Sequence, residues 1–146
     1  MKKAMFRIGL MLALAFLAAA QFVRAQEPVV AKIPFQFTAG ETALPAGEYR
    51  VQKASDGSPA LLIRCTEGNP AIMVMTAPAS VNAPQQNSKL IFHRYGNRYF
   101  LAQVWSAGSS SGRQLRESAK EKEQLLARNE APEQVTIVAR LIPPKP

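Results

Sequence analysis

The segment KLIFHRYGNRYFLAQVW, residues 89–105, sets two runs of aromatic and branched residues on either side of Gly96-Asn97. A Gly-Asn step between two such runs is a strong hairpin signal, because glycine takes the positive φ that tight primed turns need. With a two-residue loop, Tyr95 faces Arg98, Arg94 faces Tyr99, His93 faces Phe100 and Phe92 faces Leu101. The same register carries on to Ile91 with Ala102, Leu90 with Gln103 and Lys89 with Val104.

Working outward, the pattern repeats. Residues 29–38 alternate from Ala31, with Ala31, Ile33, Phe35 and Phe37 on one face and Lys32, Pro34, Gln36 and Thr38 on the other. That is a strand with one wet face, placed at an edge or irregularly paired because Pro34 has no N–H to donate. Leu44-Pro45-Ala46-Gly47 suits a type I turn and leads to a strand over 48–53 with Tyr49 and Val51 inward. Residues 60–66 and 71–76 read as a hairpin around Glu67-Gly68-Asn69-Pro70 that puts Cys65 opposite Ile72 and Ile63 opposite Val74. Its other side carries Leu62, Met73 and Met75 beside Arg64, an oily surface that something must cover.

Ala77 to Ser88 reads as a long loop, and Ser106 to Gly112 as a flexible connector. Residues 113–128 have helix-forming composition, with Ser111 and Gln114 spaced as a capping box. The charges of this helix nearly cancel, which argues against a membrane-surface helix. A final strand is expected over 134–142. Together these elements predict a mainly β fold, an antiparallel meander closed into a small barrel or sandwich of about seven strands, with one C-terminal helix before the last strand. The order resembles that of calycin-like barrels.

The N-terminus reads as an export signal. MKKAMFR is cationic, the thirteen residues from Ile8 to Ala20 are almost wholly apolar, and Phe22-Val23-Arg24-Ala25 offers a cleavage site. Thirteen residues are too few to span a bilayer. A signal peptide over 1–25 and a single β-rich domain over 26–146 are therefore expected, with no stable membrane insertion after cleavage. Losing Lys2, Lys3, Arg7 and Arg24 lowers the formal charge from +8 to +4, which weakens any argument for nucleic acid.

The residue types restrict the chemistry. One cysteine, Cys65, allows no internal disulfide. One histidine with one cysteine falls short of a zinc site, and the lone aspartate, Asp56, excludes an aspartate-rich calcium loop. No cofactor or metal is expected. Gly108-Ser109-Ser110-Ser111-Gly112 matches G-x-S-x-G, but His93 precedes Ser110 and no parallel βαβ series surrounds it. Cys65 shares its face with Leu61 and Ile63, which suits a buried, inert thiol. The candidate binding residues are His93, Arg94, Tyr95, Arg98, Tyr99 and Phe100, whose rings and guanidinium groups suit a glycan. No acid lies within two residues of His93 to orient it as a base.

The stretches IPFQFTAG (33–40), LPAGEYRV (44–51) and LIFHRYGNRYFLAQVWSAGSSSGRQL (90–115) resemble a family of small, uncharacterised exported bacterial proteins, over residues 31–116. The resemblance implies export, to periplasm or exterior, and a β-rich fold; it implies no activity. The expected function is non-enzymatic binding in the cell envelope, with an envelope protein, a glycan or an apolar small ligand as partner. The alternative is a small hydrolase that uses Cys65 or Ser110 with His93.

Overall fold

A computed structural model describes residues 28–68 and 71–141; the signal peptide expected at 1–25 lies outside them. The strands are β1 (Val29–Ile33), β2 (Phe37–Ala39), β3 (Thr42–Leu44), β4 (Gly47–Lys53), β5 (Ala60–Cys65), β6 (Ala71–Ser80), β7 (Ser88–Tyr95), β8 (Arg98–Trp105), β9 (Ser111–Leu115) and β10 (Glu133–Leu141). One helix, α1 (Ala119–Arg128), precedes β10. Eight strands close a barrel in the order β8-β7-β10-β1-β4-β5-β6-β9, with β9 returning to β8. All pairs around the ring are antiparallel. The β2–β3 hairpin lies outside the ring and meets β8 in parallel at Thr38 and Phe100.

Apolar alternation builds the interior. Tyr49, Phe37, Phe92, Leu44, Ile63 and Leu90 are fully buried. Pro34 breaks the expected first strand into β1 and β2, since it cannot donate to a ladder. The break lets Phe35 fold onto the aromatic cluster, stacked on Tyr99 at 3.8 Å and edge-on to Phe92 at 5.0 Å. Phe37 meets Tyr49 and Phe92 edge-on at 5.2 and 5.5 Å. The turn before β4 is tied by the Tyr49 hydroxyl, which donates to the Pro45 carbonyl at 2.6 Å. Burial, with the nearby Cys65 thiol, pushes the Tyr49 phenol above its usual pKa.

The structure corrects several sequence expectations. The register near Gly96 holds as far as Phe92 with Leu101, but a bulge then shifts it. Ile91 faces Gln103, Leu90 faces Val104 and Lys89 faces Trp105, which leaves Ala102 as the extra residue. The β5–β6 register slides by two, with Ile63 opposite Ile72 and Leu61 opposite Val74. A two-residue slide keeps every side chain on its expected face. Cys65 is half-buried against the core rather than sealed within it.

The expected loop over 77–88 is shortened to residues 81–87; residues 77–80 are instead the second half of β6, which leaves β5 and pairs with β9 from Thr76 to Ser80. Pro78 is tolerated there. Residues two apart aim their N–H groups at one edge, and Thr76 N donates to Pro59 O on the β5 side. The N–H that Pro78 lacks would point to the same edge, beyond the end of β5.

Residues 111–115 are a strand, so the helix expected from 113 starts at Ala119, and its cap is Ser118 rather than Ser111. Pairing on both sides, to β6 and to β8, outweighs a helix propensity worth tenths of a kcal/mol per residue. Gly112 permits this closure, because a Cβ there would lie 2.6 Å from the Trp105 ring. Ser118 Oγ accepts from Glu121 N at 3.1 Å, and Asn129 ends the helix in the left-handed region with φ of 51°. The last strand covers 133–141; residue 142 lies outside the described residues.

Candidate functional site

The β7–β8 hairpin divides the six candidate residues between its two faces. His93, Tyr95, Arg98 and Phe100 share one face by register, and Arg94 and Tyr99 share the other. On the first face Tyr95 and Phe100 are buried, with their rings edge-on at 5.7 Å. Arg98 is exposed at the tip. On the second face Tyr99 already lies against Phe35, and Arg94 sits 5.6 Å from the Tyr99 ring centre. Arg94 also donates to the Gly96 carbonyl at 2.7 Å and approaches Glu133 at 3.6 Å. The hairpin spends its aromatic rings on its own packing.

His93 does have an acidic partner, 28 residues away in sequence. Helix α1 lies against β7 and presents Glu121, whose side chain is only 5% exposed. One oxygen of its carboxylate bonds His93 Nδ1 at 2.9 Å and accepts from the Tyr95 hydroxyl at 2.9 Å. The hydrogen bond to Glu121 raises the His93 pKa above its usual 6.5, against the lowering effect of burial and with help from the charges of Glu121 and Glu117. Tyr95 is also raised, first by burial and then by Glu121. Around His93 the remaining groups are Gln134 and Phe100 across the strands, with Arg94 and Glu133 paired beside them.

The same helix is tied at both ends. Its first N–H, that of Ala119, donates to Glu41 Oε1 at 3.1 Å. At its other end the Arg128 guanidinium packs where a Cβ on Gly96 would sit. Ser118, Glu121, Leu125 and Arg128 thus form a docking stripe at helical spacing, with a carboxylate at its most buried point. The sequence signal for Glu121 was present: Ser118-Ala119-Lys120-Glu121 has the S-x-x-E spacing of a capping box. The spacing of Ser111 and Gln114 had suggested a cap seven residues too early.

This node orients an imidazole, but among the described residues no serine or cysteine side chain is hydrogen-bonded to that ring. Neither Cys65, at the end of β5, nor Ser110, exposed between β8 and β9, is a hydrogen-bond partner of His93. Among the described residues no group of three His, Cys, Asp or Glu side chains gathers to hold a metal.

A second candidate lies on the barrel's outer wall. Leu62 pairs with Met73, and Ala60 with Met75, on the outward face of β5 and β6. Met73 is 67% exposed and Met75 59%. The helix covers β7 and leaves this face open. Two surface depressions, one beside Val81 and Lys89 and one beside Val30 and Glu48, also open outward. No protein-family model, curated protein or solved structure matches the chain, so its function must be argued from its own residues.

Proposed function

We propose that this protein is an exported, non-enzymatic β-barrel that works by binding another protein of the cell envelope through the outer face of β5 and β6. The observation that carries this reading is the exposed pair Met73 and Met75 beside Leu62. Flexible thioethers make adaptable contact surfaces, and a contiguous apolar patch on a barrel wall marks an interaction site more often than a scatter of single residues does. Arg64 borders the patch, which suits a polypeptide that carries carboxylates.

Two features favour the outer wall over an internal ligand. The interior is occupied by the protein's own aromatic and aliphatic side chains. The wall is apolar within and carries Lys32, Glu48, Arg50 and Gln52 without, the reverse of a barrel that faces lipid. Export rests on the leader MKKAMFR and the apolar run after it. The hydrolase reading requires a nucleophile within about 3.2 Å of His93, whereas the side chain bonded to its imidazole is the Glu121 carboxylate, and neither Cys65 nor Ser110 is hydrogen-bonded to it.

The test is a photocrosslinking residue at position 73, in protein exported by its own host. The control position is Leu126, which is 82% exposed on the helix. One discrete protein adduct is expected from position 73 and none from 126. Native mass spectrometry of the purified protein supplies the opposing result: a retained small molecule, with no adduct at 73, overturns the reading.

A further inference from the structure

Strand pairing lines up three arginines that are far apart in sequence. Arg140 of β10 pairs with Val30 of β1, Val30 with Arg50 of β4, Arg50 with Arg64 of β5, and Arg64 with Ala71 of β6. Ala139, Tyr49, Val51 and Ile63, their chain neighbours, pack into the core, so all three arginines lie on the outer wall. At about 4.8 Å per strand, the row from Arg140 to Arg64 covers roughly 14 Å.

Such a row costs stability. Like charges directly opposite one another repel, and an acid at position 50 or 64 would relieve the pair. No carboxylate of the described residues does so: the ion pairs there join His93 to Glu121 and Arg94 to Glu133. Glu48, two residues from Arg50 on the same face, accepts instead from the Thr66 hydroxyl at 3.3 Å. On the other side of the row, Gln52, Leu62 and Met73 form the next line across the strands. The arginines and the apolar face are therefore continuous.

We infer that Arg140, Arg50 and Arg64 receive the carboxylates of an acidic polypeptide segment whose apolar side chains rest on Leu62, Met73 and Met75. The inference rests on the binding role proposed above and adds the chemistry of the partner. A guanidinium matches a carboxylate with two parallel hydrogen bonds, which a lysine cannot do. Shape selects a polypeptide over a bilayer. A convex barrel wall touches a flat membrane along a narrow line, whereas a peptide segment can bend across four strands.

The test uses the exported chain and a fluorescent peptide of alternating Glu and Leu, with Gln-for-Glu and Lys-for-Glu versions as controls. The Glu peptide is expected to bind, with affinity falling as salt rises, and the controls to bind at least about tenfold more weakly. Arg64→Glu sets a carboxylate opposite Arg50, so this variant should melt at a higher temperature yet bind at least about tenfold more weakly. Lys120→Glu, on the helix, should bind as the parent does. A lower melting temperature for Arg64→Glu with unchanged peptide binding overturns the inference. So does arginine-dependent capture by phosphatidylglycerol vesicles without peptide binding, which assigns the row to lipid. If the position-73 adduct survives in the Arg50→Glu, Arg64→Glu double variant, the binding role stands and the arginine row alone is rejected.

Discussion

At the scale of single residues, Glu121 joins helix α1 to two side chains of β7. It sits in the first turn of α1, where the helix dipole favours an anion, and it satisfies both the imidazole and the buried phenol. Glu121→Gln keeps the shape but removes the charge. The His93 pKa should then fall back toward 6.5, as read from an NMR titration of the imidazole. The sign of the pH dependence follows from the direction of the shift. Because the folded-state value is raised, the stabilisation from His93 is complete below pH 6.5 and is lost as pH rises through that folded value. The melting temperature of the parent should therefore exceed that of His93→Gln most in acid, and the gap should narrow toward alkaline pH. The sequence showed His93 between aromatic and basic residues, but its acid was invisible because the two are joined only when the helix folds back on the hairpin.

At the scale of elements, β9 and α1 divide a stretch that composition alone assigns to one helix. Ser118→Ala should cost about 1 kcal/mol and speed hydrogen exchange of the amides in the first turn of the helix, whereas Ser111→Ala should leave those amides unchanged. Gly112→Ala tests the strand. Its added methyl meets the Trp105 ring and the Val104 carbonyl, so a loss of about 2 kcal/mol is expected in denaturant melts, with faster exchange in β8 and β9. The β7–β8 hairpin was readable because it is local: Gly96-Asn97 set the pairs from Tyr95 with Arg98 to Phe92 with Leu101, whereas the longer turn between β5 and β6 left a two-residue slide open. The bulge between Ile91 and Phe92, with Ala102 as the extra residue, was not readable, since the curvature it accompanies belongs to the closed ring.

At the scale of the whole molecule, β10 holds the ring together. It lies between β7 and β1, pairing among the described residues through seven residue pairs with β7 and two with β1. A chain ending at Arg128 would leave both neighbours with open edges and, by removing Val135, Ile137 and Ala139, uncover the part of the core they pack against. Its circular dichroism should show loss of the β signal, and sedimentation should show aggregates. Because the ring closes through pairs distant in sequence, refolding of the intact chain should fall in the slow, millisecond-to-second range typical of such topologies.

Sequence by itself determined most of the segments that extend, where most turns fall and which side chains of those strands face inward, because alternation and turn chemistry act over a few residues; β9 and the second half of β6 escaped it. It also carries the leader pattern from which export is proposed, and the oily surface of Leu62, Met73 and Met75. Only the tertiary structure decided that β9 and β10 close the ring, that Glu121 meets His93 and Tyr95, and that Arg140, Arg50 and Arg64 share one row. A period of two tells each strand which face to bury but carries no label for its neighbour. Neighbours are chosen when the barrel closes and every edge must find a partner.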